Sequence, residues 1–181
     1  MKTKKSIIVL FAIMLYNTSG FANFISAKIK VTGITCSMCS NSVNKALSSL
    51  KFVDKVEVDL EHAVFIVTFK SNSKVTIDEI KSKVEGAGFS IGELVADFQF
   101  QNVSVSNDYH YQFEGNTYHF VNVKDQKLNK TIPVRFVDKG LTSLKEHKKY
   151  VGLTTYLCIK SGKMESCCKI SAPPRIYHIT I

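Results

Sequence analysis

The sequence predicts an α+β protein: a split βαββαβ unit over residues 23–98, followed by a mostly-β second half over residues 99–181. Three observations predict it. In the first half, apolar residues alternate with period two in some stretches and recur at helical spacing in others. A Cys-x-x-Cys stands where the first strand gives way to the first helix. In the second half, turn residues cut the chain into short alternating runs around a single helical stretch.

Ile29 and Val31 alternate with Lys28 and Lys30, as a half-buried strand requires. The loop Gly33-Ile34-Thr35-Cys36-Ser37-Met38-Cys39 leads into a helix from Ser40 to Leu50, whose Val43, Ala46, Leu47 and Leu50 line one face. Val56, Val58 and Leu60 alternate with Lys55, Glu57 and Asp59 in a second strand. Glu61-His62 then makes a tight turn into a denser strand, Val64 to Phe69. Thr76 and Glu79 spell a capping box for a helix with Ile77, Ile80 and Val84 inward. That helix stops at Gly86 and Gly88, and Phe89 to Val95 forms the last strand of the unit. Right-handed crossovers turn this order into an antiparallel sheet with both helices on one face, the ferredoxin-like split.

In the second half Tyr109, Tyr111 and Phe113 alternate with His110 and Gln112, and Gly115-Asn116 offers a hairpin turn into Thr117 to Val123. Ile132 to Val137 reads as a strand, with Pro133 at its start or on an edge. Ser143 and Glu146 cap a short helix to about Tyr150. Leu153 to Ile159 and Met164 to Ile170 read as a second hairpin around Ser161-Gly162, and Arg175 to Ile181 as a final strand after Pro173-Pro174. These elements predict a small barrel or sandwich of its own, with an OB-like arrangement among the options.

Residues 1–22 have the make-up of an export signal. Lys2, Lys4 and Lys5 precede an apolar run from Ile7 to Tyr16, and Gly20-Phe21-Ala22 supplies small residues before a cleavage point after Ala22. The run is too short to span a bilayer, and no cysteine follows it closely, as lipid attachment would require. The expected location is periplasmic or otherwise extracytoplasmic, with no stable membrane span after cleavage and no nucleic-acid partner. Charge is uneven: residues 23–98 carry 9 Lys+Arg and 9 Asp+Glu, whereas residues 99–181 carry 12 and 6. The basic excess is spread through turns and one helix, the pattern of a solvated surface.

Cys36 and Cys39 carry the chemistry. At a helix start, unpaired N–H groups and the positive end of the dipole favour thiolate over thiol. Two close thiolates are soft ligands suited to Cu(I) and other thiophilic ions, whereas structural zinc takes four protein ligands and this pair offers two. The chain has five cysteines, an odd number for an exported protein. Cys158 and Cys167 face each other across the second predicted hairpin if its loop has four residues, and sit diagonally if it has two. A disulfide with one spare thiol, a second soft-metal site including Met164, and buried inert thiols are the options there. With a two-residue Gly115-Asn116 turn His110 and His119 share a sheet face as diagonal neighbours, where a two-histidine metal site is an option, and with a three-residue loop they point to opposite faces; the first reading is surface histidines, and His62 in its turn is solvent-exposed. No Ser/His/Asp order, P-loop or paired carboxylates point to an enzyme.

Residues 27–98 resemble the heavy-metal-associated domain, the family of small copper chaperones, of the N-terminal modules of copper-transporting ATPases and of the periplasmic mercury-binding protein. The motif Gly33-x-Thr35-Cys36-x-x-Cys39 and the segment Gly86-Ala87-Gly88-Phe89 carry the resemblance. Ile34 stands where the family most often has Met, and Phe89 where relatives often have Tyr or Lys near the metal. The resemblance implies a non-enzymatic protein that binds Cu(I), or Hg(II), through Cys36 and Cys39 and exchanges it with a donor or acceptor protein; the export signal read from residues 1–22 would place that exchange outside the cytoplasm. Met38, between the cysteines, reads as an exposed side chain before a third soft ligand. Two other functions compete: a thiol–disulfide oxidoreductase using the same dithiol, and an adaptor whose basic second half binds a partner. A thioredoxin-like unit needs more chain and a proline facing the dithiol, yet Pro133, Pro173 and Pro174 all lie beyond residue 98.

Overall fold

The computed structural model describes residues 23–163 and 175–181. The predicted export signal, and the Met164 to Ile170 arm with Cys167 and Cys168, lie outside the described residues. The first half consists of β1 (Asn23–Thr32), α1 (Ser37–Ser48), β2 (Val53–Asp59), β3 (Val64–Phe69), α2 (Ile77–Gly86) and β4 (Ser90–Gln99). These strands pair antiparallel in the order β2-β3-β1-β4, the expected split. Val43 and Leu47 of α1, and Ile77, Ile80 and Val84 of α2, are buried in one core with Ala27, Ile29, Val31, Phe65, Val67 and Leu94 of the sheet. Each of the valine, leucine, isoleucine and phenylalanine side chains contributes about 1.5–3 kcal/mol on leaving water.

Two local expectations fail. Leu60, expected to face inward, is 61% exposed. It falls in the turn after β2, an edge strand whose pairing ends at Asp59. The Thr76 side chain makes no capping hydrogen bond. Asp78 and Glu79 occupy the first turn of α2 instead, where the helix dipole favours them. Asp78 also accepts two hydrogen bonds from Arg175, 3.0 Å from Nε and 3.1 Å from Nη2.

The second half comprises β5 (Val103–Val105), β6 (His110–Phe113), β7 (Asn116–Phe120), β8 (Gln126–Leu128), β9 (Thr131–Phe136), α3 (Leu144–Val151), α4 (Cys158–Ser161) and β10 (Ile176–Thr180). It does not build the expected barrel or sandwich. β9 pairs antiparallel with the free edge of β4, from Val95 opposite Arg135 to Gln99 opposite Thr131. β10, β7 and β6 follow, giving one eight-stranded sheet in the order β2-β3-β1-β4-β9-β10-β7-β6. β5 and β8 form a separate two-stranded ladder.

The physical reason lies in β4. Left unpaired, it would present a ten-residue edge. Its Phe98, together with Phe24 of β1, needs apolar cover, which the second half supplies. Phe98 packs on Phe24 (4.7 Å between ring centroids), Phe100 (4.5 Å) and Phe113 (4.9 Å), and Phe24 lies 5.9 Å from Tyr118. Pro133 sits opposite Asp97 of β4, but β10 pairs with β9 only at Arg135 and Phe136. Its missing N–H therefore interrupts no second ladder, which is how proline is accommodated away from the sheet's outer edge.

The β6–β7 turn is Glu114-Gly115, one residue earlier than expected, because Phe113 faces Asn116. Both turn residues have positive φ (48° and 78°), as a two-residue hairpin turn of type I′ requires. The run Leu153 to Ile159 is not a strand. Gly152 ends α3, and Cys158 and Ile159 are buried in succession on α4, which period-two geometry cannot do beneath one sheet face. Ser143 does cap its helix, accepting from the Glu146 N–H at 3.3 Å. Among the described residues no helix is long and apolar enough to cross a membrane.

A continuous sheet with a shared aromatic core makes the halves one cooperative unit. Urea unfolding followed by circular dichroism and by tyrosine fluorescence should give coincident single transitions. Phe98→Ala, at a residue only 3% exposed, should lower stability by about 3–5 kcal/mol. Two separate transitions, with only one moved by the substitution, would contradict this.

Candidate metal centre

α1 begins at Ser37, three residues before the expected start, because Cys36 takes the N-cap position. Its backbone is extended (φ −149°, ψ 161°), and its Sγ accepts from the Cys39 N–H at 3.4 Å. A sulfur thus does what the hydroxyl or carboxylate of Ser, Thr or Asp does at most helix starts. The Ser40 N–H bonds the Cys36 carbonyl at 3.2 Å and closes the first turn. That turn contains no acidic residue, so its N–H groups and the helix dipole act on the two sulfurs alone.

The two sulfurs stand 2.9 Å apart, Cys36 exposed and Cys39 half-buried. Their sharing of a proton splits their acidities. The hydrogen bond from the Cys39 thiol, followed by the Cys39 backbone N–H, holds Cys36 below the usual thiol range. The same hydrogen bond, then burial, pushes Cys39 above it. Gly33 turns the chain into the loop at φ 90°, and a Cβ there would lie 3.7 Å from the Phe89 ring. Phe89 and Ile34 are both packed against the main core, so the loop rests on apolar groups on either side of the motif glycine. Met38 is 79% exposed and projects into solvent.

The histidines divide. His62 is exposed, as expected, and its ring lies 2.8 Å from Asp59, whose carboxyl it holds below the usual range. His119 is wholly buried, against the expectation of a surface ring, and so is His178. With the turn shifted by one residue, His110 and His119 lie directly opposite rather than diagonal, and their rings stack at 4.3 Å. Cys158 is buried on α4 and not on a hairpin. A cysteine pairing with Cys167 concerns a residue outside the described ones. The sequence did hold a signal for the buried histidines. β7 and β10 are runs of residues suited to two covered faces, in which a regularly spaced polar residue needs a partner.

The acidity split has a direct readout. Pulse alkylation with mass-spectrometric mapping should label Cys36 faster than Cys39 at neutral pH. Cys39→Ala should shift the midpoint of Cys36 labelling to higher pH, since it removes the thiol that stabilises the Cys36 anion. Equal labelling of both thiols would contradict the hydrogen-bonding order.

Residues 28–90 match the model of the heavy-metal-associated domain. Copper chaperone CopZ of Staphylococcus epidermidis is 36% identical over 63 residues, which is 35% of this chain and 91% of the chaperone. Copper-transporting ATPase RAN1 of Arabidopsis thaliana is 40% identical over 74 residues, 41% of this chain, and this chain spans only 7% of the ATPase. The periplasmic component of mercuric transport from Serratia marcescens is 36% identical over 61 residues, 34% of this chain and 66% of that protein. Among solved structures, the yeast copper transporter domain Ccc2a is 36% identical with a TM-score of 0.33, covering 37% of this chain and 90% of that domain. Through this segment, the chain belongs to the heavy-metal-associated domain family.

Proposed function

We propose that this protein captures a soft metal ion, Cu(I) foremost, on Cys36 and Cys39 and passes it to a partner protein outside the cytoplasm. The observation that carries this reading is the sulfur pair at the head of α1, with Cys36 open to solvent and held towards its thiolate form. The relatives add support, since copper chaperones and a copper-transporting ATPase match the same segment. Hg(II) is the nearest alternative cargo, on the likeness to the mercuric transport component. The signal-like residues 1–22 support export.

Metal–sulfur bonds of about 2.3 Å on opposite sides of one ion put the two sulfurs roughly 4.6 Å apart. The pair must therefore open on loading, and Cys36, exposed at the N-cap, has room to do so. A partner's thiolate can then attack the exposed side of the ion, adding a third sulfur before one of the first two leaves. The ion is never released, and low coordination keeps the exchange fast.

The test is an anaerobic Cu(I) titration of the reduced protein against a competing chelator, beside the Cys36→Ser/Cys39→Ser variant. One tight equivalent, lost in the variant, is expected. If wild type binds no tighter than the variant, the carrier reading fails, and the reduction potential of the dithiol becomes the quantity to measure.

A further inference from the structure

Strand register places three histidines in one row. His110 on β6 faces His119 on β7, and His119 faces His178 on the parallel neighbour β10. Side chains in one rank of adjacent strands share a face of the sheet. Tyr118 and Tyr177, one position along, point to the opposite face and into the aromatic core. Over the histidine row lies α4, with the Cys158 sulfur 3.8 Å from His119 Nδ1 and 3.3 Å from His178 Nε2. One ring nitrogen of His110, one of His119 and the Cys158 sulfur all lie within 4.8 Å of one another. Tyr156 packs on the His110 and His119 rings at 5.4 and 5.1 Å.

The tautomers of two rings follow from their carboxylate partners. His119 Nε2 donates to Asp108 Oδ1 at 2.9 Å, which leaves its Nδ1 lone pair facing the sulfur. His178 Nδ1 donates to Asp138 Oδ1 at 2.8 Å, which leaves its Nε2 lone pair facing the same sulfur. The carboxylates are themselves anchored: Asp108 Oδ1 also accepts from Thr154 Oγ1 at 2.7 Å, and Asp138 Oδ2 from the His178 N–H at 2.7 Å. A thiol proton can serve only one of two converging lone pairs. His110 Nε2 adds a buried polar atom with no hydrogen-bond partner among the described residues. Among the described residues, two imidazole lone pairs aimed at one sulfur and a third buried ring nitrogen beside them make a donor set suited to a cation.

We propose that Cys158, His110 and His119 form a second metal site, which His178 completes by moving in from its contact with the sulfur, and that the site holds a first-row ion of the zinc class, Zn(II) foremost, inside the second half of the sheet. Tetrahedral bonds of about 2.0–2.3 Å put neighbouring ligand atoms roughly 3.3–3.8 Å apart, the span already present between the sulfur and two of the rings. Three imidazoles and one thiolate are borderline ligands, suited to Zn(II) rather than to an ion that prefers two sulfurs. The Asp108–His119 and Asp138–His178 pairs are the carboxylate–histidine arrangement that orients metal-binding imidazoles. A Cys158–His178–Asp138 nucleophile would place the same groups together. However, Cys158 and His178 are wholly buried, which leaves a substrate no route to the sulfur. An ion bound as the sheet closes needs no such route, and half-buried His110, on the edge strand β6, is the ligand nearest solvent.

The experiment uses the full chain carrying Cys36→Ser and Cys39→Ser, reduced and anaerobic, titrated with Co(II) as an optical probe and then with Zn(II). One equivalent of Co(II) should give tetrahedral ligand-field bands with a sulfur-to-cobalt charge-transfer band. Zn(II) should displace it and raise the Tm. Adding Cys158→Ser should abolish the charge-transfer band. His110→Ala, at the least buried ligand, and Asp138→Asn should each weaken Zn(II) binding by about 10–100-fold or more. The site is overturned if the folded background protein binds no Co(II). It is equally overturned by a spectrum without the sulfur band, by binding that ignores both Cys158→Ser and His110→Ala, or by Cys158 locked in a disulfide under reducing conditions. Because this background lacks Cys36 and Cys39, failure here leaves the carrier reading standing, and failure of the carrier reading leaves this site standing.

Discussion

The structure depends on β4 being paired along both edges. β1 lies on one side, with partners from Asn23–Gln99 to Thr32–Ser90, and β9 on the other, from Val95–Arg135 to Gln99–Thr131. A strand in the middle of a sheet is fixed in register by two neighbours at once, and a slip of one residue would turn its buried face to water. Leu94, Ala96 and Phe98 are that face, and all three are buried. The family segment ends near Ser90, where β4 begins, so the strand that completes the metal-binding fold also begins the second half. The aromatic cluster around Phe24 and Phe98 is the packing counterpart of this pairing. It draws on β1, β4, β6, β7 and β9 together.

On this frame the protein arranges sulfur and imidazole in two opposite ways. Cys36 and Cys39 sit at a helix start, at the surface, held by one another and by backbone N–H groups. Cys158 and its histidines lie between a sheet and a short helix, and each buried ring is fixed by a carboxylate. The first arrangement suits rapid exchange of an ion, since few bonds hold it and one side stays open. The second suits retention, since every group around the ion would have to move for it to leave. These are two answers to a single question, namely how many bonds must break before an ion can go.

Much of the first half was legible in the sequence because its signals are local. Period-two and helical spacing give β1, β3, α1 and α2, and the Gly33 to Cys39 motif places the sulfurs. The misreadings there are of capping and edges: Thr76 yields to Asp78 and Glu79, Cys36 itself caps α1, and Leu60 turns outward beyond the last pair of an edge strand. The second half was legible as elements but not as architecture. Nothing local says that β9 will find β4 or that β10 will slot between β9 and β7, because those pairings are set by which edges and aromatic faces remain uncovered. The histidine row was hidden for the same reason. A one-residue difference in the Glu114-Gly115 turn decides whether His110 meets His119, and His178 joins them only through a parallel pairing with a strand 59 positions earlier.

The position of β10 has a consequence for how the chain assembles. Among the described strands it comes latest in the sequence, yet it lies inside the sheet, bonded to β9 on one side and β7 on the other. While the chain emerges, the βαββαβ unit and β9 can pair at once, whereas the β6–β7 hairpin has no strand partner on its inner edge until residues 176–180 have appeared. For that interval the backbone edge of β7 from Thr117 to Phe120 stands open. The second half is therefore the slow and exposed part of folding, and loss of only a few residues around β10 would leave two disconnected sheets from a chain otherwise intact.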